Sequence, residues 1–202
     1  MDRNNFAVGR VTTGFSKPYV ALYSASGGTV TYTGGREMAR GVDVDVAPEF
    51  GNGKIFYANN GAAEKANGTL TGGKLNLTVD GLFTEVERMI SGLPEAGADG
   101  WTPDGDDRKP PYVGTGFVVR WQSNGEIGYT PVLVSKVQYD AVNMKGKTQE
   151  EEIDYQTQAL TATILRDDTP KHNWRYIGDD FATEAEAEAA LKTKMNITGG
   201  GA

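Results

Sequence analysis

The clearest pattern in the chain is a stretch of strict alternation, with Val42, Val44 and Val46 on one side and Asp43 and Asp45 on the other. A period of two with one apolar and one charged face predicts an antiparallel strand, dry on one side and wet on the other. Leu75, Leu77 and Val79 alternate in the same way with Lys74, Asn76, Thr78 and Asp80. Phe117, Val119 and Trp121 alternate with Val118, Arg120 and Gln122, and a return strand is predicted to place Ile127, Tyr129, Leu133 and Val137 on one face. Between them Asn124-Gly125 supplies the strongest short hairpin signal. Pro131 predicts an edge or a bulge within the return strand. Further strands are predicted at 18–23, at 29–33 between two Gly pairs, and at 153–166.

The period changes twice. Leu82, Val86, Met89, Ile90 and Leu93 mark one face of a helix over about 82–93. Thr84 followed by Glu87 reads as its capping box, with Asp80 as an alternative start, and Gly92 and Pro94 close it. Near the C-terminus Thr183-Glu184-Ala185-Glu186 is a second capping box, ahead of helix formers and an apolar edge at Leu191 and Met195. The predicted fold is therefore α+β and mostly β: an antiparallel sandwich or flattened barrel of about eight strands, one central helix and a C-terminal helical tail at about 183–196.

Between these elements the chain is irregular. Residues 1–17 read as an N-terminal arm, 18–168 as the β domain and 169–202 as a C-terminal arm carrying the short helix. Pro48 predicts the end of the strand that holds Val46. The segment 47–68 then reads as a long loop around a short apolar run, Ile55-Phe56-Tyr57-Ala58, and 95–111 as a second loop dense in Asp, Gly and Pro. Connections of that length inside a domain carry function or are disordered.

Composition narrows the chemistry. Among 202 residues there is no Cys and one His, His172, which excludes disulfides, thiolate metal sites, Cys nucleophiles and multi-His metal centres. No apolar run is long enough to span a membrane, and no secretory signal is visible at the N-terminus. The formal charge of −7 does not attract nucleic acid through its phosphates. Asp99, Asp104, Asp106 and Asp107 offer hard oxygen ligands for calcium, but not at the spacing of an EF-hand; a solvated acidic loop is the plainer reading. Trp101 in that loop is the odd aromatic, and an exposed Trp is often a protein contact. No motif for a nucleotide loop or a catalytic triad is present, and no enzyme activity or cofactor is expected.

Four places, taken in order, resemble the major tail tube proteins of long-tailed bacteriophages (siphophages) of the type common in Gram-positive hosts. They are Val42–Val46 leading to Phe56-Tyr57-Ala58-Asn59-Asn60; Gly68-Thr69-Leu70-Thr71 with Leu75-Asn76-Leu77 before a helix; the hairpin from Phe117 to Tyr139; and a closing stretch with Thr148, Glu151, Ile153, Gln156-Thr157 and Leu160-Thr161. Together they cover most of 18–166. The acidic loop at 95–111 and the chain after Asp168 depart from the pattern.

The resemblance implies a structural virion protein, assembled in the host cytoplasm, whose subunits form hexameric rings that stack as the tail tube and conduct DNA during ejection. Its expected partners are other copies of itself, the tape-measure protein, and the proteins that start and end the tail. DNA passes through without specific binding. On this reading Phe56, Tyr57, Asn59 and Asn60 are assembly candidates, and Asp43 and Asp45 are candidates for negative charge in the lumen, where carboxylates repel phosphate. Two other readings compete: a carbohydrate-binding β-sandwich using Trp101 and the loop carboxylates, and a protein of the distal tail or head–tail joint that forms a single ring.

Overall fold

The computed structural model describes residues 9–58, 61–66, 68–106, 108–144, 146, 148 and 156–198. In chain order the elements are β1 (Val11–Ser26), β2 (Thr29–Glu37), β3 (Gly41–Phe50), β4 (Ile55–Ala58), β5 (Gly61–Lys65), β6 (Leu70–Val79), α1 (Thr84–Ser91), β7 (Val113–Ser123), β8 (Glu126–Tyr139), β9 (Gln158–Leu165), β10 (Arg175–Ile177) and α2 (Glu184–Lys194). Strand accounts for 49% and helix for 11%, so the fold is α+β and mostly β. Eight strands form one antiparallel sheet in the order β2-β1-β7-β8-β9-β6-β3, with β10 added beside β8, while β4 and β5 pair apart from it.

The sheet curls. β1 and β3 are not ladder neighbours, yet a Cβ on Gly41 at the start of β3 would strike the ring of Phe15 in β1, and the Met38 N–H bonds the Pro18 carbonyl at 2.8 Å. The curled sheet encloses one core, with Val20, Leu75, Leu77, Val79, Val113, Phe117, Val134, Val137, Leu160, Ala162 and Ile164 turned inward and α1 contributing Val86 and Ile90. A smaller cluster lies on the opposite face, where Ala187, Leu191 and Met195 of α2 cover Tyr19, Ala21, Tyr32, Val118 and Leu133.

Local chemistry explains most boundaries. Asn124 and Gly125 both adopt positive φ (49° and 84°), as the tight β7–β8 turn requires. Gly92 closes α1 in the left-handed region, and Thr183 and Glu186 cap α2 reciprocally. Pro131 lies mid-strand, but its missing N–H points away from β7. It falls between the β10 ladder at Val132–Val134 and the isolated bridge from Tyr129 to Phe181, a gap where no donor is needed.

Several expectations are corrected. Val11–Lys17 is not an arm; it is the first half of β1 and pairs with β7 from Gln122 to Val118. Bulges at Thr12/Gly14 and Ser16/Tyr19 break the alternation that would have revealed it. The chain from Arg175 onward is not a free arm either, since β10 pairs with β8 and α2 packs on the sheet of its own chain. Pro48 does not end β3, which runs to Phe50; β3 is an edge strand, where a residue lacking an N–H is tolerated. Thr84 is not a cap: Phe83 holds the N-cap position with no side-chain bond. The strand predicted from Ile153 begins at Gln158, and 151–155 lie outside the described residues.

Candidate assembly surface

The segment 47–68 is the largest departure from its prediction as a loop. After Phe50 pairs with Leu70, the Gly51 N–H bonds Thr69 at 2.9 Å and the Ala66 N–H bonds Lys54 at 2.9 Å; then Ile55 pairs with Lys65 and Ala58 with Gly61. The β3–β6 ladder thus continues past the sheet as a two-stranded arm. Glycine makes the narrow neck possible. A Cβ at Gly53 would meet the Ala66 carbonyl at 1.6 Å, and one at Gly68 the Gly51 carbonyl at 1.6 Å. Phe56 and Tyr57 lie in β4, while Asn59 and Asn60 lie outside the described residues. At the base, the half-exposed Phe50 ring meets Trp174 edge-on at 6.3 Å.

Asp43 and Asp45 are exposed on β3, and the ladders show what lies beside them. Asp45 is in register with Asn76 of β6, which is in register with Thr161 of β9; Asp43 likewise lines up with Thr78 and Ala159. The next row is Ala47, Lys74, Thr163 and Gln138. Hydrogen bonds tie these rows: Thr161 Oγ1 donates to Asn76 Oδ1 at 3.3 Å, and Lys74 Nζ donates to Thr163 Oγ1 at 3.2 Å and to Asp140 at 3.4 Å. The result is a polar face across β3, β6 and β9 on which both predicted carboxylates stand. The valines behind it, Val44 and Val46, pack on the core, and Val42 at the Gly41/Asp43 bulge is 54% exposed.

The acidic loop does not converge. Asp99 accepts from the Trp101 N–H at 3.2 Å, and Gly97 and Trp101 bond across the same turn, so Trp101 is held outward at 77% exposure. Asp104 and Asp106 are also exposed, and Asp107 lies outside the described residues. Among the described residues no three His, Asp or Glu side chains are placed to hold a metal ion. His172 occupies an exposed turn, with Nδ1 3.3 Å from the Asp167 carbonyl.

No protein-family model and no curated protein matches this sequence.

Two ionic clusters fasten the β1 region to the chain after β10, and sequence reading missed both. Arg10 makes a paired contact with Asp180 (3.0 and 2.6 Å) while its guanidinium lies 4.4 Å from the Trp121 ring centre. Trp121 Nε1 donates to Thr130 Oγ1 at 2.9 Å, and Thr130 donates to Asp180. Burial alone would raise the Asp180 pKa, but the bonds from Thr130 and Arg10 hold it below the usual carboxylate range. On α2, Glu188 accepts from Tyr19 at 2.6 Å and from Lys192 at 2.7 Å, with Lys17 at 3.7 Å. Those bonds outweigh burial and lower the Glu188 pKa. Burial and the Glu188 bond push the Tyr19 phenol up to about 12. Arg10 and Asp180, like Tyr19 and Glu188, lie more than 160 residues apart, so no local pattern announces those bonds.

Proposed function

We propose that the protein is a structural subunit of a siphophage tail tube, forming hexameric rings that stack into a conduit for DNA. The observation that carries this reading is the arm. A hairpin of two short strands is marginal by itself in water, and this one includes the apolar run Ile55-Phe56-Tyr57-Ala58 beyond the edge of the sheet. Such a segment gains stability by docking on another molecule. The edges of the sheet support the same reading, because β2 and β3 end the strand order and each offers a side on which a neighbouring chain can pair. A head-to-tail contact that closes makes a ring, and one that does not close makes a filament.

On this reading the polar face of β3, β6 and β9 lines the lumen. Asp43 and Asp45 stand on it, Lys74 is offset by Asp140, and Thr and Asn fill the remaining rows. Carboxylate repulsion of phosphate reaches about 8 Å at physiological salt, enough to keep passing DNA from adhering to a close-fitting wall.

Negative-stain electron microscopy of the purified protein over a range of concentrations, beside the variant lacking residues 51–66, tests the proposal. The expected result is hollow tubes from the full chain and folded, non-polymerising subunits from the deletion. Normal tubes from the deletion sink the role of the arm. Single rings that never stack favour the joining-protein reading. A strict monomer that binds glycans saturably favours the carbohydrate reading, to which the exposed Trp101 is suited.

A further inference from the structure

We infer that a recess at one end of the sheet, between β6, β8 and the end of β9, is a binding site for an acidic sugar: a ring of hydroxyls that carries one carboxylate. All its residues come from one subunit, so the site is independent of how subunits assemble. The β6–β9 ladder ends where Lys74 pairs with Thr163, and the β8–β9 ladder where Lys136 pairs with Leu165. Beyond those rungs β6 runs on beside β3 to Leu70, while the chain after Leu165 leaves the ladder until Arg175 pairs with Val134. The gap encloses about 460 Å³, and Thr69, Gly72, Tyr112, Lys136, Leu165 and Arg166 are among the residues around it. That is the size of a small-molecule site. Gly72 keeps it open, since a Cβ there would have only the Ile164 carbonyl near it, at 4.0 Å.

The charges of the recess are fixed in advance. Lys136 Nζ stands 5.0 Å from the Tyr23 ring centre and 4.7 Å from that of Tyr112, and it donates to Asp168 at 2.7 Å. The Tyr23 hydroxyl also donates to Asp168, at 2.7 Å. The Lys136 and Tyr23 bonds hold the Asp168 carboxyl below the usual carboxylate range, so Lys136 comes with its own counter-ion. Arg166 does not. It is exposed and makes no ion pair or side-chain hydrogen bond among the described residues. Its backbone is nevertheless anchored on both sides. Leu165 is paired with β8, and the buried Asp167 bonds the Asn173 carbonyl through its N–H at 2.8 Å and accepts from Thr169 Oγ1 at 2.5 Å and from Tyr176 at 2.9 Å. The recess therefore offers one uncompensated positive charge on a planar fork, which matches a carboxylate. The Thr69 and Tyr112 hydroxyls make no hydrogen bond among the described residues, and Tyr112 is 44% exposed. Those hydroxyls suit the hydroxyls of a sugar, and the tyrosine ring suits the apolar C–H face of a pyranose. Among the described residues no carboxylate or amide side chain lines the recess, so it offers no partner to an ammonium group.

Saturation-transfer NMR of the full chain with methyl glucuronide and methyl galacturonide tests the site, with methyl glucoside and acetate as the two halves of the ligand. A glucuronide or galacturonide is expected to bind saturably, and each half about tenfold more weakly. Arg166→Ala should weaken the acidic sugar about tenfold and leave the urea midpoint unchanged, because the side chain is exposed and unpaired. Tyr112→Leu should weaken the acidic sugar and leave acetate as it was. Trp101→Ala, which removes the other exposed aromatic suited to sugars, should alter nothing. Failure of both acidic sugars to bind, equal binding of either half, or a loss in Trp101→Ala that Arg166→Ala does not share overturns the assignment, whether or not the chain makes tubes.

Discussion

The face of the sheet turned away from the main core is treated in two different ways along its width. Over β1, β7 and β8 it carries Ala21, Gly114, Gly116, Val118 and Leu133, and α2 lies on it. Over β3, β6 and β9 it carries Asp43, Asp45, Asn76, Thr78, Thr161 and Thr163, and no helix of the described residues covers it. Both halves belong to one continuous ladder, so backbone geometry does not separate them; side-chain size and polarity do. A Cβ on Gly116 would meet Leu191 and Met195 at 2.6 Å, and one on Gly114 would meet the Tyr32 ring at 2.4 Å. A helix can approach only where the sheet has been planed down in this way. Where Thr and Asn stand instead, their polar groups bond along the rows and water remains the better neighbour.

That contrast can be broken most forcefully from the helix side. Leu191→Ala empties a site that is 2% exposed and should destabilise the protein by about 3 kcal/mol, read as a lower urea midpoint with an unchanged slope. Asp180→Asn removes the carboxylate that joins Arg10, Thr130 and, through Thr130, Trp121. The expected loss is about 2 kcal/mol, typical of hydrogen bonds to a charged group, with the protection of the β1 N-terminal amides falling first in hydrogen exchange. Gly116→Ala should cost about 1–2 kcal/mol, because the ends of Leu191 and Met195 must shift; a gain in stability would contradict the close fit.

The same two clusters set an acid limit. Asp180 and Glu188 both have pKa values lowered in the fold. Their contribution is therefore complete above the unfolded carboxylate range, near pH 4, and is lost as pH falls through the lowered values. A thermal melt series should stay flat from pH 7 to 5 and then fall. In Asp180→Asn that fall should be shallower. On the bare half, Thr161→Ala and the pair Asp43→Asn with Asp45→Asn should each change stability by less than about 0.5 kcal/mol. A loss comparable to that of Leu191→Ala would mean that this half is not a free surface.

The fold was legible where alternation was uninterrupted. Val44–Val46, Leu75–Val79 and Phe117–Gln122 lie in strands with the faces assigned to them, and the Thr183 box starts α2 where expected. Val42 departs, exposed at its bulge, and Leu133 and Val137, read as sharing one face, fall on opposite faces because the β7–β8 register shifts between them. It was illegible where pairing overrides pattern. Gly61-Ala62-Ala63-Glu64-Lys65 has no strand signal of its own and becomes β5 only by pairing with β4. Arg175–Ile177 is too short to show a period. Phe83 stands at the N-cap of α1 through tertiary contacts rather than a capping side chain. For the candidate surface, alternation gave the exposure of Asp43 and Asp45. That their half of the face stays uncovered depends on where α2 lands, which Gly116 helps decide through contacts distant in sequence.

The docking of α2 also has a consequence in time. A chain is synthesised from its N-terminus, and domains fold as their residues emerge. Every strand of the main sheet except β10 is complete by Leu165, whereas the residues that cover Ala21, Val118 and Leu133 lie between Ala187 and Met195. That apolar strip therefore remains wet until Ala187–Met195 have emerged. Those late turns serve the nascent protein as its own chaperone, and a chain released before Ala187 has been made presents a sheet with a sticky back.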